Sequence, residues 1–367
     1  MDFPPRLPPE ILDRIVQLAL AAFRSKNDHN FNRLDPIASF SLASRTFRLI
    51  AIRRFLESRR MVGQGKLFWT LLDSLEASGT GSYTSVKALR TNSRTLSFNY
   101  MRLDSLTHLQ SFSVDMDNEG LSTQHLLMKK FLKHLHRPTT GPPYIALTAL
   151  KLTSLARIDV PLLRLISKNT PALVHLHVSC TERLWYECCW NCYTDNAECF
   201  IHSPIPDMFI DADDLAKQFS LALKPLTKLT HLHMGIFLTQ ESYLYEHVAH
   251  AKYEQSYPPD ECDICTKTAL PTPFIDSDLS DDHPQNNALD ILDPAAEMEA
   301  TELRASLIFA KNIRSLVRIS WSSWLGQRPS VDWKGEEETT VETRGAPNTT
   351  IWIRRQDGRV RLRSAPW

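Results

Sequence analysis

The stretch Leu147-Thr148-Ala149-Leu150-Lys151-Leu152 carries the pattern that decides the fold. Leucines stand at its first, fourth and sixth positions. In an extended strand this alternation sends Leu150 and Leu152 to one face of a sheet and Lys151 to the other. The same apolar template recurs at Leu109-x-x-Phe112-x-Val114, Leu173-x-x-Leu176-x-Val178, Leu229-x-x-Leu232-x-Met234 and Leu316-x-x-Ile319-x-Trp321, with a weaker partial copy at Leu96-x-Phe98.

Helical patterns lie between these strands, at residues 66–76, 160–166 and 214–219. A leucine template that alternates with helices is typical of a leucine-rich repeat, and the step from Leu152 to Val178 lies within the usual repeat length. The steps from Val178 to Met234 and on to Trp321 are far longer, which indicates missed repeats or inserted loops. The alternative is an unrelated α/β domain whose strands happen to match the template.

The carboxy-terminal end shows a different pattern. Residues 349–355 and 359–363 alternate in polarity and flank Asp357-Gly358. Asp-Gly between such segments predicts a β-hairpin, because the turn needs positive φ angles at its centre. We expect this hairpin to cover the last edge of the repeat sheet. Residues 275–296 are rich in Asp, Ser, Asn and Pro, and we predict a loop there.

The amino-terminal stretch Leu7-Pro8-Pro9-Glu10-Ile11-Leu12-Asp13-Arg14-Ile15-Val16 predicts a short amphipathic helix. Its prolines preset the backbone angle at a helix start, and apolar residues then recur at helical spacing. Residues 40–51 predict a second helix, in which arginines stand among apolar residues. Two short helices bury little surface by themselves, so we expect an apolar face to remain for a partner.

These two segments resemble an F-box, the small three-helix module that docks onto the Skp adaptor of cullin–RING ubiquitin ligases. The resemblance rests on residues 7–15 and on Leu42-Ala43-Ser44-Arg45-Thr46-Phe47-Arg48. Residues 21–33 depart from the family, because they form a longer and more polar link between the first helices. The resemblance implies that the adaptor contacts are Leu7, Pro8, Glu10, Ile11, Leu12, Ile15, Leu42 and Phe47.

The predicted fold class is therefore α/β, with a short helical F-box-like module followed by an irregular leucine-rich-repeat solenoid with long insertions and the carboxy-terminal hairpin. We place the module at residues 1–60 and the repeat domain at 61–367, with cysteine-containing insertions at about 180–202 and 240–300. By resemblance, the chain is a substrate receptor that binds the Skp adaptor and cullin–RING complex at one end and a target protein at the other. The alternative is a stand-alone leucine-rich scaffold in which the first helices merely cap the solenoid.

Two Cys-x-x-Cys pairs fall in these insertions, Cys189 with Cys192 and Cys262 with Cys265. Each pair can grip one tetrahedral ion from a tight turn, so together they predict one structural zinc site. Loops that leave the same end of neighbouring repeats lie side by side, which brings distant pairs within reach. Substitute ligands for one position are Cys188, Cys199 and His202. The alternative is a set of thiols without a metal.

Composition narrows the function classes. Lys plus Arg equals Asp plus Glu, at 42 each, so the whole chain gives no electrostatic case for nucleic acid or an anionic membrane. No apolar run is long enough to cross a bilayer, and the first residues do not read as a signal peptide, so we expect a cytoplasmic or nuclear protein. Phosphate-binding loops and nucleophile elbows are absent from the sequence, so we do not expect an enzyme. A metal-dependent enzyme is the remaining alternative, but four cysteine ligands would close its metal site.

Overall fold

The structure, a computed structural model, describes residues 7–26, 35–61, 65–79, 83–116, 120–135, 146–180, 208–236, 238, 294–322 and 348–366. The chain divides into two compact units. The first comprises Met1–Val178 and Pro225–Leu229, and the second comprises Ser179–Lys224 and Thr230–Trp367. Both units combine helices with parallel strands that follow chain order, so the predicted α/β class is confirmed. The predicted boundary at residue 60 stays a prediction.

The first unit begins with three helices and continues with strands that alternate with helices. Its helices are α1 (Pro9–Lys26), α2 (Asp35–Ala43), α3 (Arg45–Glu57), α4 (Lys66–Ala77), α5 (Ser93–Asn99), α6 (Leu121–Leu135) and α7 (Val160–Asn169). Its strands are β1 (Ser58–Arg60), β2 (Ala88–Asn92), β3 (Ser111–Asp115), β4 (Ala149–Leu155) and the first residues of β5 (His175–Cys180). Strands β1 to β4 pair in parallel with their neighbours in the chain.

The second unit repeats this alternation and ends in a hairpin. Its elements are α8 (Ala212–Leu223), β6 (His231–Gly235), α9 (Pro294–Asn312), β7 (Arg318–Ser322), β8 (Asn348–Gln356) and β9 (Arg359–Arg363). Strand β6 pairs in parallel with β7, whereas β8 is antiparallel to both β7 and β9. The helices predicted at 66–76, 160–166 and 214–219 are thus confirmed as α4, α7 and α8.

The strand register places equivalent positions of the sequence template side by side. Phe112 lies opposite Leu150 between β3 and β4, and in the second unit Leu232 lies opposite Ile319. These four side chains are buried, whereas Lys151 is exposed. The prediction that the template residues share one buried face is therefore confirmed.

A backbone turn also recurs at the start of the templates that begin at Leu109, Leu173, Leu229 and Leu316. The first template residue donates its N–H to the carbonyl three residues earlier, as from Leu109 to Leu106 at 3.2 Å and from Leu316 to Ile313 at 3.2 Å. The next carbonyl then accepts two consecutive N–H groups from the following copy. The pairs are Lys87 with Gln110 and Ser111, Gln110 with Thr148 and Ala149, Thr148 with Val174 and His175, and Thr230 with Val317 and Arg318. The copies are therefore equivalent in backbone as well as in sequence.

The partial copy predicted at Leu96-x-Phe98 is wrong, because these residues lie in α5. The Asn92 side chain accepts a hydrogen bond from the Thr95 N–H at 2.9 Å and caps this helix directly after β2. The true copy is Val86-x-x-Leu89-x-Thr91, whose three residues are buried. Threonine at the sixth position concealed it, since the template asks for an apolar residue there.

Three further expectations need correction. The single helix predicted over 40–51 is two helices, because Ser44 separates α2 from α3 and accepts a hydrogen bond from the Phe47 N–H at 3.1 Å. The first helix is longer than expected, since α1 runs to Lys26 and takes up half of the polar link predicted at 21–33. Residues 294–296, predicted as loop, begin α9, where proline at the helix start precedes strong helix formers. Residues 275–293 lie outside the described ranges.

The hairpin forms where the sequence predicts it. Asp357 and Gly358 have φ angles of 53° and 73°, as a tight turn between β8 and β9 requires. Strand β8 covers the free edge of β7, so this prediction is confirmed. Strand β9 then becomes the last strand of the sheet.

Candidate functional site

The helix α1 carries two apolar stripes on different sides. Leu12, Val16 and Leu20 recur every four residues and are at most 8% exposed, so they form the buried stripe. The other stripe, which we call the outer stripe, is open to solvent. It consists of Ile11 (48% exposed), Ile15 (38%) and Leu18 (55%) on the helix, together with Leu7 (53%) just before it. A helix that has already buried one stripe therefore keeps a second apolar surface uncovered.

The start of α1 fixes where the outer stripe begins. The Pro8 carbonyl accepts hydrogen bonds from the N–H groups of Ile11 at 3.0 Å and Leu12 at 3.2 Å. Proline at the first helical position costs no hydrogen bond, because that N–H has no partner within a helix. From Ile11 to Leu18 the stripe spans roughly 10 Å along the helix axis.

An ion-pair clamp joins α1 to α3. Arg54 donates to both oxygens of the Asp13 carboxylate, with Nε to Oδ1 at 2.7 Å, and Arg53 donates to Oδ1 at 3.0 Å. The hydrogen bonds from Arg54 outweigh partial burial and, together with Arg53, lower the pKa of Asp13 to about 2. Both arginines stand among the buried residues of α3, which are fixed by packing. The clamp therefore fixes the rotation of α1 about its own axis and keeps the outer stripe exposed to solvent.

The same arginine connects the helices to the sheet. Arg54 Nη1 donates to Glu57 at 2.8 Å, and Lys87, just before β2, donates to the other Glu57 oxygen at 2.8 Å. Burial raises the pKa of Glu57, but the hydrogen bonds from Lys87 and Arg54 outweigh it, and the net direction is downward. The clamp is therefore continuous from α1 through α3 to the first unit's strands.

The second helix pair adds a smaller apolar area. Leu42, at the end of α2, is 82% exposed, and Leu49 on α3 is also exposed. Phe47 is half-buried, because its ring packs against Phe40 with centroids 5.8 Å apart. Arg48 donates to the Ser41 carbonyl at 2.8 Å and ties the two helices together across Ser44.

The structure sorts the predicted adaptor contacts into two groups. Those exposed to solvent are Leu7, Pro8, Glu10, Ile11, Ile15 and Leu42. Leu12 does not belong with them, because it lies in the buried stripe at 8% exposure, and Phe47 is only partly available. Leu18 and Leu49 are exposed apolar residues that the resemblance did not supply. Helical spacing from Ile11 could have identified Leu18, whereas nothing in the sequence distinguishes Leu49 from its buried neighbour Ile50.

The predicted zinc ligands Cys189, Cys192, Cys262 and Cys265 lie outside the described residues, as do Cys188, Cys199 and His202. Within the described ranges, no group of three or more His, Cys, Asp or Glu side chains is arranged to hold a metal ion. The zinc site stays a prediction, which elemental analysis of the wild type and of Cys262→Ser can test.

The histidines that alternate with the template leucines lie off the core. His175 is exposed, and His177, His231 and His233 are half-buried. Their positions, one step along the strands from the buried leucines, predict that they line the outer face of the strands, and their exposure agrees with this.

Comparisons with known proteins add no identification: no family model, no curated protein and no solved structure matches this chain. Among the helices that the structure describes, none combines the length and apolar character needed to cross a membrane.

Proposed function

We propose that this chain is the substrate-recognition subunit of a Skp–cullin–RING ubiquitin ligase, and that α1 to α3 bind the Skp adaptor. The observation that carries the proposal is the outer stripe of α1, an apolar surface left open on a helix whose other apolar side is already buried. Water-exposed apolar surface on a fixed helix is what a partner with an apolar groove stabilises by covering it.

Two further observations support this role. The amino-terminal module has three helices, as an F-box does, and the break between the second and third falls within the residues that carry the resemblance. The clamp from Asp13 through Arg54 holds the stripe in one orientation, so little conformational freedom is lost when a partner binds.

The strands behind the helices support a leucine-rich repeat as the part that holds a target protein. Parallel strands in chain order, equivalent positions in register and the repeated entry turn are the features expected of stacked repeats. Ubiquitin transfer itself is assigned to other subunits, so the chain acts by binding and not by catalysis.

The second candidate is a stand-alone scaffold whose helices cap the sheet. Its support is that α3 runs directly into β1 and that Glu57 bonds to Lys87. These contacts involve the inner side of the helices and leave the outer stripe without a role. A cap alone therefore explains the buried stripe but not the exposed one.

The decisive experiment measures adaptor binding with matched pairs of exposed residues. The double variant Ile11→Ala and Leu18→Ala removes side chains that are 48% and 55% exposed. The control, Leu221→Ala with Leu126→Ala, removes side chains of the same two exposures on α8 and α6. By titration calorimetry against purified Skp adaptor, we expect the outer-stripe variant to bind at least about tenfold more weakly and the control to bind like wild type.

The proposal fails if wild-type protein does not bind the adaptor, or if both double variants bind equally well. Binding that depends on the outer stripe should also show a negative heat-capacity change, the mark of apolar burial. Circular dichroism of each variant establishes that loss of binding is not loss of folding.

A further inference from the structure

Strands β6 to β9 have an unusual charge composition. They contain six arginines and neither aspartate nor glutamate, although the whole chain is electrically balanced. The arginines are Arg318, Arg354, Arg355, Arg359, Arg361 and Arg363. Five of the six lie in the hairpin strands β8 and β9, and the sixth, Arg318, lies in the neighbouring strand β7, so the charge is local to these strands.

The register puts five of these arginines on one face. Trp352 lies opposite Arg318 on one side and Arg363 on the other, and Arg354 lies opposite Arg361. Arg359 lies opposite Gln356, in the same alternation. We call Arg318, Arg354, Arg359, Arg361 and Arg363, together with Trp352, the arginine face.

The sixth arginine lies on the other side of the hairpin and has a different role. Arg355 points to the opposite side of β8, where it donates to the carbonyls of Leu316 at 2.6 Å, Ala310 at 2.8 Å and Ile313 at 3.0 Å. It thus satisfies carbonyls at and beyond the end of α9, where the helix dipole favours a cation. Arg355 has a structural task that accounts for its presence.

Local bonding accounts for part of the arginine face, since Arg363 donates to the carbonyls of Ala365, at 2.5 Å, and Pro366. The Arg318 guanidinium stacks over the Trp352 ring at 5.4 Å. Arg354 and Arg361, however, are like charges directly opposite one another in an antiparallel pair, an arrangement that destabilises a sheet. Within the described part of the chain, no carboxylate pairs with Arg359 or Arg361. The exposed guanidinium groups of Arg359 and Arg361 are therefore open to an acidic ligand.

The location of β9 indicates the kind of ligand. It is the last strand of the sheet, and among the described residues none forms a strand along its outer backbone edge. Arg359, Arg361 and Arg363 alternate along it, which spaces their side chains about 7 Å apart on one face. An added strand would place alternate side chains about 5 Å from these arginines. The positive charge of these arginines repels the β9 edge of a second copy of the protein and so prevents self-association. The same charge favours a strand in which every second residue is acidic.

We propose that β9 and the arginine face bind an acidic peptide segment of a partner protein, which adds to the sheet as a strand along β9. Backbone hydrogen bonds supply affinity in this mode, and the alternate carboxylates meet the arginines to supply specificity. An open strand edge favours a peptide over nucleic acid, which has no backbone groups that continue a sheet. As the target-holding surface of a ubiquitin-ligase receptor the site rests on the proposed function, but the binding itself does not require an adaptor.

The test is fluorescence anisotropy with the full chain and a labelled peptide of alternating glutamate and valine. Three comparison probes carry the same label: the peptide with glutamine for glutamate, the peptide with proline for valine, and a single-stranded oligonucleotide of equal charge. We expect the acidic peptide to bind, the glutamine and proline peptides to bind at least about tenfold more weakly, and the affinity to fall as salt rises.

Protein variants locate the site. The triple variant Arg359→Gln, Arg361→Gln and Arg363→Gln should weaken peptide binding about tenfold or more. A control with the same charge change, Arg94→Gln, Arg164→Gln and Arg314→Gln, alters exposed arginines outside these strands and should leave binding unchanged. Lysine at 359, 361 and 363 keeps the charge and should restore most of the affinity.

Each other result overturns the proposal. Equal binding of the proline peptide excludes strand addition, and equal or tighter binding of the oligonucleotide replaces the peptide with nucleic acid. An equal loss of peptide affinity in the two triple glutamine variants would show a nonspecific effect of charge. If the wild type does not bind the acidic peptide at all, the proposed site does not exist. These outcomes are separate from those of the adaptor experiment, because no adaptor is present and α1 is unchanged.

Discussion

The outer stripe of α1 and the arginine face of β7 to β9 are both exposed and both lie on regular elements, but their chemistry is opposite. The stripe presents isoleucine and leucine, whose contact with water costs about 25 cal/mol for each Å². The arginine face is well hydrated when uncovered, so water already satisfies it. The stripe therefore gains from any matching apolar groove, whereas the arginine face gains only from a partner of opposite charge.

An arginine on the inner side secures each surface. Arg54 grips Asp13 and fixes the rotation of α1, and Arg355 grips the carbonyls of Ala310 and Ile313 and fixes β8 against α9. Both surfaces are thus built before any partner arrives. Substitutions on the inner sides should affect folding, and substitutions on the outer sides should affect binding.

The largest expected effect separates two adjacent residues of α1. Leu12→Ala removes a buried side chain and should lower the free energy of unfolding by about 2–4 kcal/mol, because a cavity remains. Ile11→Ala removes an exposed one and should cost less than about 1 kcal/mol. Urea denaturation of both variants measures the difference. Equal losses would show that α1 has no outer side.

Glu302 gives the next largest effect, on the inner side of the hairpin. It is buried on α9, and within the described residues its Oε1 has no hydrogen-bond partner. Burial, with a smaller contribution from the charge of Glu299, raises its pKa to about 7, against a lowering effect of the hydrogen bond with Thr349. The folded state therefore holds a proton that the unfolded state releases near pH 4.5.

The direction of the pH effect on stability follows from this difference between the folded and unfolded pKa values of Glu302. The contribution of Glu302 to stability is most favourable below pH 4.5 and falls as the pH rises from 4.5 through about 7, by up to about 3 kcal/mol. Glu302→Gln keeps the shape without the charge, so it should stabilise the protein by up to that amount above pH 7 and by little at pH 4.5. Thermal unfolding of both proteins across this range is the measurement. A constant difference would mean that the pKa of Glu302 is the same in the folded and unfolded states.

The sequence predicted the strands well, because alternation is a local signal. Leu150 and Leu152 point inward and Lys151 outward for the reason that any half-buried strand alternates. The copy that ends at Thr91 was missed, because threonine counts as polar in a sequence pattern although its side chain is buried in the structure. Leu96 and Phe98 match the strand pattern too, but they lie in α5, whose start is capped by the hydrogen bond from the Thr95 N–H to the Asn92 side chain.

The candidate site was less predictable than the fold. Ile11 and Leu12 are both apolar residues at helical spacing, and their sequence positions do not say which one the rest of the unit covers. That depends on the rotation of α1, which is set by the bond from Asp13 to Arg54, some forty residues away in the chain. The arginine face likewise depends on register across β7, β8 and β9, so charge balance over the whole sequence concealed it.

A smaller effect tests the clamp. Asp13→Asn should lower stability by about 1 kcal/mol at neutral pH, a value reduced because Arg53 is exposed and water screens its charge. Since the folded pKa of Asp13 is about 2, the stabilising contribution is present above pH 3.8 and is lost as the pH falls toward 2. In acid denaturation, the free energies of unfolding of the wild type and of Asp13→Asn should therefore become equal as the pH approaches 2. A variant that binds the adaptor more weakly without a change of fold would show that the clamp orients the stripe.

The smallest effect concerns the like charges on the arginine face. Arg361→Glu replaces a repulsion with Arg354 by an attraction and should raise stability by a few tenths to about 1 kcal/mol, whereas Arg359→Glu faces Gln356 and should do less. The gain should shrink at high salt, because both side chains are exposed, while the effect of Ile11→Ala on adaptor binding should not. A variant that is more stable but no longer binds an acidic peptide would show that the repulsion is retained for binding. If Arg361→Glu instead destabilises the protein, the arginines stabilise the hairpin itself. The repulsion between Arg354 and Arg361 would then not be the dominant effect of Arg361 on stability.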